Sequence, residues 1–115
     1  VSYLLTGEHH PWNRKSGTLG RLKPHENFFR VRDCDCNTQV GKGAWEIAAR
    51  YSYADLSDFD IQGGIADSYT FGLNWYWNPY ARMQFNYIVG NLQEGRQALG
   101  NGNYQIAGVR WMIDW

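Results

Sequence analysis

Apolar and polar residues alternate with a period of two in four segments of this chain, at residues 44–54, 67–78, 81–91 and 104–115. Successive side chains of a β-strand point to opposite faces, so this pattern predicts strands with two unlike faces. In residues 67–78, for example, the odd-numbered positions from 69 onward hold Tyr69, Phe71, Leu73, Trp75 and Trp77. The even-numbered positions of that segment are small or polar apart from one tyrosine. The sequence therefore predicts an all-β, antiparallel chain.

The connections between these segments alternate in length, as in an antiparallel meander. Asn78-Pro79-Tyr80 predicts a tight turn, because proline has the fixed φ that turns favour. Residues 56–66 and 92–103 are rich in Gly, Asp, Asn and Gln, and we expect both to be loops. Residues 44–115 are thus expected to form a four-strand meander, to which residues 1–8 add a fifth strand. We expect residues 9–43 to be an irregular connection, with 18–22 and 27–32 as candidates for short strands.

Composition argues against several classes of protein. The 11 Lys and Arg balance 11 Asp and Glu, whereas a nucleic-acid surface needs a basic face. An aromatic content of 17% argues against disorder, and no apolar run approaches the ~20 residues of a spanning helix. Catalytic motifs and paired metal ligands are missing, and the adjacent His9 and His10 point apart on an extended chain. We therefore expect no enzymatic activity, no metal, no cofactor and no nucleic-acid partner.

Two kinds of protein explain strands with unlike faces. In a soluble β-sandwich the odd-numbered face is the core, and exposed Trp and Tyr side chains can stack on sugar rings, as in a carbohydrate-binding module. In a transmembrane β-barrel the odd-numbered face meets lipid and the even-numbered face lines an aqueous lumen. Three further features of the sequence favour the barrel.

The first feature is the height of the aromatic residues along the strands. If the turn at Pro79 marks one rim, five tryptophans lie near that rim: Trp45, Trp75, Trp77, Trp111 and Trp115. Four other aromatic residues then lie toward the opposite rim: Tyr51, Tyr53, Tyr69 and Phe71. Two such bands are typical of the interfacial girdles of membrane barrels. A soluble core has no need of this banding.

The second feature is the even-numbered face, which is small and polar and carries few charges. Its cations are Arg50, Arg82 and Arg110. A guanidinium keeps its charge and forms paired hydrogen bonds with phosphate or carboxylate oxygens, so three of them on a lumen wall would attract anions. The alternative is that these arginines are exposed at a soluble surface or form salt bridges with Glu46 and Asp114.

The third feature is the alternation that ends at Trp115. Ala107, Val109, Trp111 and Ile113 precede it at every second position. An aromatic final residue with this spacing resembles the C-terminal strand signal of bacterial outer-membrane barrels, which the barrel-assembly machinery binds. The alternative is an amphipathic edge strand that happens to end the chain, although a flat aromatic edge would invite aggregation.

Five blocks of sequence carry a resemblance to one family. They are Ser2-Tyr3-Leu4-Leu5-Thr6-Gly7-Glu8, Gly17-Thr18-Leu19-Gly20-Arg21-Leu22-Lys23-Pro24, Gly43-Ala44-Trp45-Glu46-Ile47-Ala48-Ala49-Arg50-Tyr51-Ser52, Gln62-Gly63-Gly64 and Gly72-Leu73-Asn74-Trp75-Tyr76-Trp77-Asn78-Pro79. In order and spacing these blocks resemble the phosphate-selective porin O and P family. The resemblance implies an antiparallel transmembrane β-barrel, of which residues 1–115 are a C-terminal fragment of about five strands out of sixteen.

The resemblance also implies a function and partners. Members of that family are usually trimeric and pass phosphate, polyphosphate or other anions through a basic lumen. We therefore expect a passive, anion-selective diffusion porin in the bacterial outer membrane. Its expected partners are outer-membrane lipid, small anions such as phosphate, the barrel-assembly machinery and two further copies in a homotrimer.

The two cysteines, Cys34 and Cys36, form a lone C-x-C motif. A zinc site needs a second pair of ligands at matching spacing, which the three histidines do not supply. The motif therefore indicates either a disulfide or free thiols in a loop. An outer-membrane location, which the resemblance implies, is oxidising and favours the disulfide.

Overall fold

The computed structural model describes residues 1–32, 38–59, 61–93 and 102–115, and its regular structure consists of β-strands. In chain order these are β1 (Ser2–Leu4), β2 (Trp12–Asn13), β3 (Thr18–Leu19), β4 (Phe29–Arg32), β5 (Thr38–Gly41), β6 (Ala44–Asp58), β7 (Ile61–Asn78), β8 (Ala81–Gln93) and β9 (Gly102–Ile113). Within the described ranges, no helix is long and apolar enough to cross a membrane.

Five of the strands form one antiparallel sheet in the order β1-β6-β7-β8-β9. From β6 onward each strand pairs with the next one along the chain, which is the order of a meander. Asn78 closes the tight turn between β7 and β8, because its side-chain oxygen accepts hydrogen bonds from the backbone N–H groups of Tyr80 and Ala81. The prediction of an all-β, antiparallel fold is confirmed.

The register gives this sheet two chemically different faces. Trp45 pairs with Trp75, Trp75 with Met83, and Met83 with Trp111, so odd-numbered residues share one face. We call it the aromatic face. Even-numbered residues share the other face, which we call the polar face; one of its rows is Glu46, Asn74, Gln84 and Arg110.

The hairpin between β6 and β7 corrects the prediction of a loop at residues 56–66. Pairing continues from Asp55 with Ile65 to Asp58 with Ile61, across a bulge between Asp55 and Ser57. Gly63 lies at this bulge, where an added Cβ would be 2.3 Å from the Leu56 carbonyl oxygen, so only glycine fits. The Asp and Gly content that indicated a loop instead belongs to a hairpin extension whose described side chains are largely exposed.

The remaining strand boundaries also differ from the predicted ones. The first strand covers only Ser2–Leu4, whereas residues 1–8 were expected. Strand β8 continues to Gln93 and β9 begins at Gly102, which shortens the loop expected at residues 92–103. Strand β9 ends at Ile113, so Trp115 lies beyond it. Such shifts are usual at strand ends, because the β-propensity of the residues changes gradually there and gives no sharp boundary.

The described residues of the segment 9–43 contain more regular structure than the irregular connection that we expected. Strands β2 and β3 form one short hairpin and β4 and β5 form another, each separate from the main sheet. Of the two candidate strands, 18–22 is reduced to Thr18–Leu19 and 27–32 to Phe29–Arg32. The first of these hairpins belongs to a longer excursion of the chain, residues 6–27, which we call the strap.

The strap packs on the polar face near the tight turn. Leu22 is 3% exposed and forms a small core with Ala44 and Tyr76, beside the partly buried Leu4. The chain enters β6 through Gly43, which has a φ of 69°. A Cβ there would lie 2.3 Å from the Tyr76 carbonyl oxygen, so the start of β6 requires glycine.

No second sheet covers the aromatic face within the described part of the chain. Large apolar side chains stay exposed along it, including Phe71 at 55% and Trp111 at 59%. A soluble sandwich would bury these side chains between two sheets. The described residues therefore do not form the soluble β-sandwich of the carbohydrate-binding alternative.

Candidate functional site

A row of hydrogen-bonded polar side chains crosses the polar face. Asn74 Nδ2 donates to Glu46 Oε2 at 3.0 Å, and Gln84 Nε2 donates to Asn74 Oδ1 at 2.9 Å. Arg110 continues the row as the partner of Gln84 in the register. The Tyr76 hydroxyl also donates to Glu46 Oε2, at 2.8 Å. The buried polar groups of this face form hydrogen bonds with one another, and a polar face is more stable in contact with water than with lipid.

The three predicted arginines all lie on the polar face, in three different strands. Arg82 and Arg110 are diagonal neighbours, because Arg82 pairs with Met112 and Gln84 pairs with Arg110. Arg50 pairs with Thr70 and lies two rows further from the tight turn than Arg110. At ~3.4 Å per residue, this offset is roughly 14 Å along the strands. The arginines are therefore spread along the face instead of forming one cluster.

None of the three arginines forms a salt bridge within the described residues. Oδ2 of Asp114, one suggested partner, lies 3.7 Å from Nη2 of Arg21 instead. Glu46, the other suggested partner, lies 3.9 Å from His10 Nε2. Arg50 and Arg110 are exposed, so their charges are available to solvent on this face.

Arg82 differs from the other two arginines in being half-buried. Its Nε and Nη2 groups donate to the Met112 sulfur at 3.1 and 2.8 Å, and its guanidinium carbon lies 5.7 Å from the centre of the Tyr76 ring. A thioether is a weak acceptor for a charged donor. The Tyr76 hydroxyl is a second, neutral partner, so Arg82 carries a positive charge without a carboxylate partner among the described residues.

Glu8 holds the two ends of the strap together. Its carboxylate accepts hydrogen bonds from the Thr6 hydroxyl and, at 3.2 Å, from the backbone N–H of His25. The Thr6 oxygen also accepts from the backbone N–H of Trp45, which links the strap to β6. Burial alone would raise the pKa of Glu8, but these hydrogen bonds outweigh it and hold the pKa below its ordinary value.

A cavity of about 190 Å³ lies between the strap and the end of the sheet. Its polar lining comes from His10, Arg21, Tyr76, Asn78, Arg82 and Asp114. Arg21 lies 4.6 Å from the centre of the Tyr80 ring, which places its guanidinium across the tight turn. Sequence reasoning singled out Arg82 here but missed Arg21, whose position depends on the fold of the strap.

Four of the predicted girdle tryptophans are in contact on the aromatic face. Trp45 stacks on Trp75 with ring centres 4.9 Å apart, and Trp75 meets Trp77 edge to face at 5.4 Å. Trp77 then meets Trp111 edge to face at 4.9 Å. The fifth, Trp115, is fully exposed beyond the end of β9.

The second aromatic band lies further along the same strands. The rings of Tyr51 and Tyr69 are 4.9 Å apart, and Tyr53 is exposed near them on β6. From Trp45 to Tyr53 is ~27 Å along the strand at ~3.4 Å per residue, or roughly 21 Å across a membrane for a tilt of ~40°. This separation is close to the ~25 Å apolar band of an outer-membrane barrel.

Phe28 is an aromatic contact that sequence reasoning missed. Its ring lies 4.6 Å from Trp75 and 5.9 Å from Trp77, and its backbone N–H donates to the Trp77 carbonyl. Because Phe28 belongs to a charged, non-alternating segment, period-two analysis could not place it. The adjacent pair Phe28-Phe29 in that segment is the one available signal.

The zero net charge of the chain hides an uneven distribution along the strands. Six described Lys and Arg residues lie on the strap or beside the tight turn, with four carboxylates, so that this end keeps an excess of two positive charges: Arg14, Lys15, Arg21, Lys23, Lys42 and Arg82 against Glu8, Glu26, Glu46 and Asp114. At the opposite end, the extended hairpin of β6 and β7 carries Asp55, Asp58 and Asp67. An anion therefore meets the more favourable field near the strap.

Two expectations concern possible disulfide or metal chemistry. Cys34 and Cys36 lie outside the described residues, so the disulfide stays a prediction. Among the residues that the structure does describe, no group of three or more His, Cys, Asp or Glu side chains is arranged to hold a metal.

Comparisons with known proteins agree with this arrangement. No solved structure matches the chain. An uncharacterized protein of Caulobacter vibrioides is 28% identical over 119 residues, in an alignment that covers all of this chain and 22% of the relative. The chain thus spans about a fifth of that protein's length. The family model described as phosphate-selective porin O and P matches residues 1–115, and the chain therefore belongs to the phosphate-selective porin O and P family.

Proposed function

We propose that this chain forms part of the wall of a bacterial outer-membrane porin through which anions, phosphate among them, diffuse passively. In this proposal the aromatic face meets lipid and the polar face lines the water-filled lumen. Five strands are fewer than the roughly eight that a closed barrel needs. Further strands of the full-length protein complete the wall, and the homotrimer implied by the resemblance stays a prediction.

The observation that carries this proposal is the contrast between the two faces of a single sheet. Tryptophans contact one another on one face, where Trp111 and Phe71 remain exposed, while the other face carries a hydrogen-bonded row from Glu46 to Gln84. Contact with water is unfavourable for the first face, and contact with lipid is unfavourable for the second. A barrel wall is the arrangement that supplies each face with its preferred surroundings.

Arg50, Arg82 and Arg110 are our candidates for the anion path. They extend along the polar face without salt bridges to described carboxylates, which supports a role in attracting solutes rather than in holding the fold. Selectivity in such a pore depends on the charges that line it.

The test is the reversal potential of the full-length protein in a planar lipid bilayer under a tenfold KCl gradient. We expect anion selectivity in the wild type. The triple variant Arg50→Ala, Arg82→Ala and Arg110→Ala should lower the anion-to-cation permeability ratio severalfold, because it removes three positive charges from the lumen wall.

The matched control removes the same amount of charge away from the sheet. The variant Arg14→Ala, Lys15→Ala and Lys42→Ala changes three exposed cations that do not belong to the five-stranded sheet. It should shift the reversal potential less than the first variant does. An unchanged reversal potential in the first variant would contradict the proposed anion path.

A further inference from the structure

We propose that the cavity between the strap and the tight turn binds a small oxyanion of the size of inorganic phosphate, and that Arg82 is its principal ligand. This inference rests on the proposed function, because it assumes that solutes reach the polar face. It adds a defined binding site at one end of the pore to the general attraction of anions along the wall.

The charge on Arg82 is the first reason. A guanidinium has five N–H donors; two of those of Arg82 donate to the Met112 sulfur, and its further side-chain hydrogen bond is to the neutral Tyr76 hydroxyl. Within the described residues no carboxylate lies within salt-bridge distance of it. An oxyanion would offer this half-buried guanidinium two oxygen acceptors in place of a weak sulfur acceptor.

The other groups around the cavity are the second reason. Arg21 enters from the strap side, and His10 adds ring nitrogens from the same segment. Asp114 is the one acidic lining residue, and it already lies 3.7 Å from the Arg21 guanidinium. That pair is half-exposed, so Asp114 offsets the charge of Arg21. The Glu46 carboxylate contacts His10 and the Tyr76 hydroxyl, and neither Asp114 nor Glu46 lies within salt-bridge distance of Arg82.

The volume of the cavity limits the size of the ligand that it can enclose, which is the third reason. Its volume of about 190 Å³ is below the ~300 Å³ at which pockets for larger organic ligands begin. A nucleotide or a sugar chain would therefore not be enclosed, whereas a tetrahedral oxyanion and a few water molecules fit. Leu22 and Met112 add apolar lining beside the charged groups.

The test is hydrogen–deuterium exchange of the full-length protein in phospholipid-free detergent micelles, with inorganic phosphate titrated against chloride at constant ionic strength. Phosphate should slow exchange at residues 19–22 and 80–82 in a saturable way. At a phosphate concentration ten times the Kd, the slowing should reach about tenfold for amides that exchange by opening of this site.

Arg82→Gln should raise the half-saturating phosphate concentration by about tenfold or more, because it removes charge-assisted hydrogen bonds. Arg14→Gln is the matched control, since Arg14 is an exposed cation of the strap that does not line the cavity. It should change half-saturation by less than about twofold. If Arg82→Gln fails to fold, Arg82→Lys keeps the charge but loses the planar fork, and should weaken phosphate binding by a smaller factor.

The results separate this inference from the proposed function. Equal phosphate protection in the wild type and in the folded Arg82 variant, or no saturable protection in the wild type, would overturn the site. Such results leave the reversal potential unaffected. A wild-type channel without anion selectivity would overturn the proposed function, whatever the exchange experiment shows.

Discussion

Trp75 and Trp77 belong to the same aromatic contact chain, yet their indole N–H groups have different surroundings. Trp75 Nε1 donates to the Lys42 carbonyl oxygen at 2.9 Å. Trp77 Nε1 is buried and has no hydrogen-bond partner among the residues that the structure describes. The two side chains are otherwise comparable in ring contacts, so this pair isolates the contribution of one hydrogen bond.

We predict that Trp75→Phe lowers the free energy of unfolding by about 1 kcal/mol more than Trp77→Phe does. Both changes remove similar ring area, but only the first breaks a hydrogen bond and leaves the Lys42 carbonyl without its donor. Denaturant titration of the full-length protein in lipid vesicles measures the difference. A Trp77→Phe variant that loses at least as much stability as Trp75→Phe would contradict the assignment.

At the scale of elements, the attachment of the strap depends on pH. The pKa of Glu8 lies below its ordinary value of 4.5, so the ionised carboxylate is the form that the folded strap favours. Its stabilising contribution is therefore fully present above about pH 4.5 and is lost as the pH falls through the lowered pKa. The strap should loosen in acid while the sheet persists.

The backbone amide of His25, which donates to Glu8, should report this loosening. We expect its protection from hydrogen exchange, corrected for the intrinsic rate, to decrease below pH 4.5. Glu8→Gln should reduce the protection at neutral pH and abolish its acid dependence. Glu26→Gln, a change at an exposed carboxylate of the same segment, should behave like the wild type; a decrease in protection that persists in Glu8→Gln would contradict the role of Glu8.

The sequence made the central parts of the four long strands predictable and left the strap unpredicted. Alternation around Trp75 and Phe85 is a local signal, because each residue's face follows from its neighbours two positions away. The extension of β6 and β7 beyond Ala54 was missed because a hairpin with largely exposed side chains has little need to alternate. The strap depends on contacts between distant residues, such as Glu8 with His25 and Arg21 with Asp114, which no local pattern encodes.

The residues of the site could likewise be predicted only in part. Parity alone placed Arg50, Arg82 and Arg110 on one face, and the register agrees with that placement. Parity could not indicate that Arg82 would be half-buried beside Met112, or that Arg21 would approach the same cavity. Those features require the strap to fold back on the polar face.

At the scale of the whole molecule, the proposed function requires the polar face of the sheet to meet water and the aromatic face to meet lipid. The two aromatic bands, the exposed apolar rows between them and the polar row on the opposite side all follow from one assignment. If that assignment were reversed, the arginines would face lipid, where each charge near the bilayer midplane costs ~2–4 kcal/mol. The whole-molecule claim is therefore tested by the solvent exposure of successive residues in one strand.

The most direct measurement is a cysteine scan along β8 in the full-length protein, reconstituted in liposomes after Cys34→Ser and Cys36→Ser replacements. Each variant carries one new cysteine and is treated with a water-soluble, membrane-impermeant thiol reagent. The cysteine replaces, in turn, Gln84, Phe85, Asn86, Tyr87, Ile88 and Val89. We predict fast labelling at the three even-numbered positions and slow labelling at the three odd-numbered ones, which should instead be reached by a lipid-soluble quencher. The opposite alternation, or equal labelling at all six positions, would contradict the assignment of the polar face to the lumen.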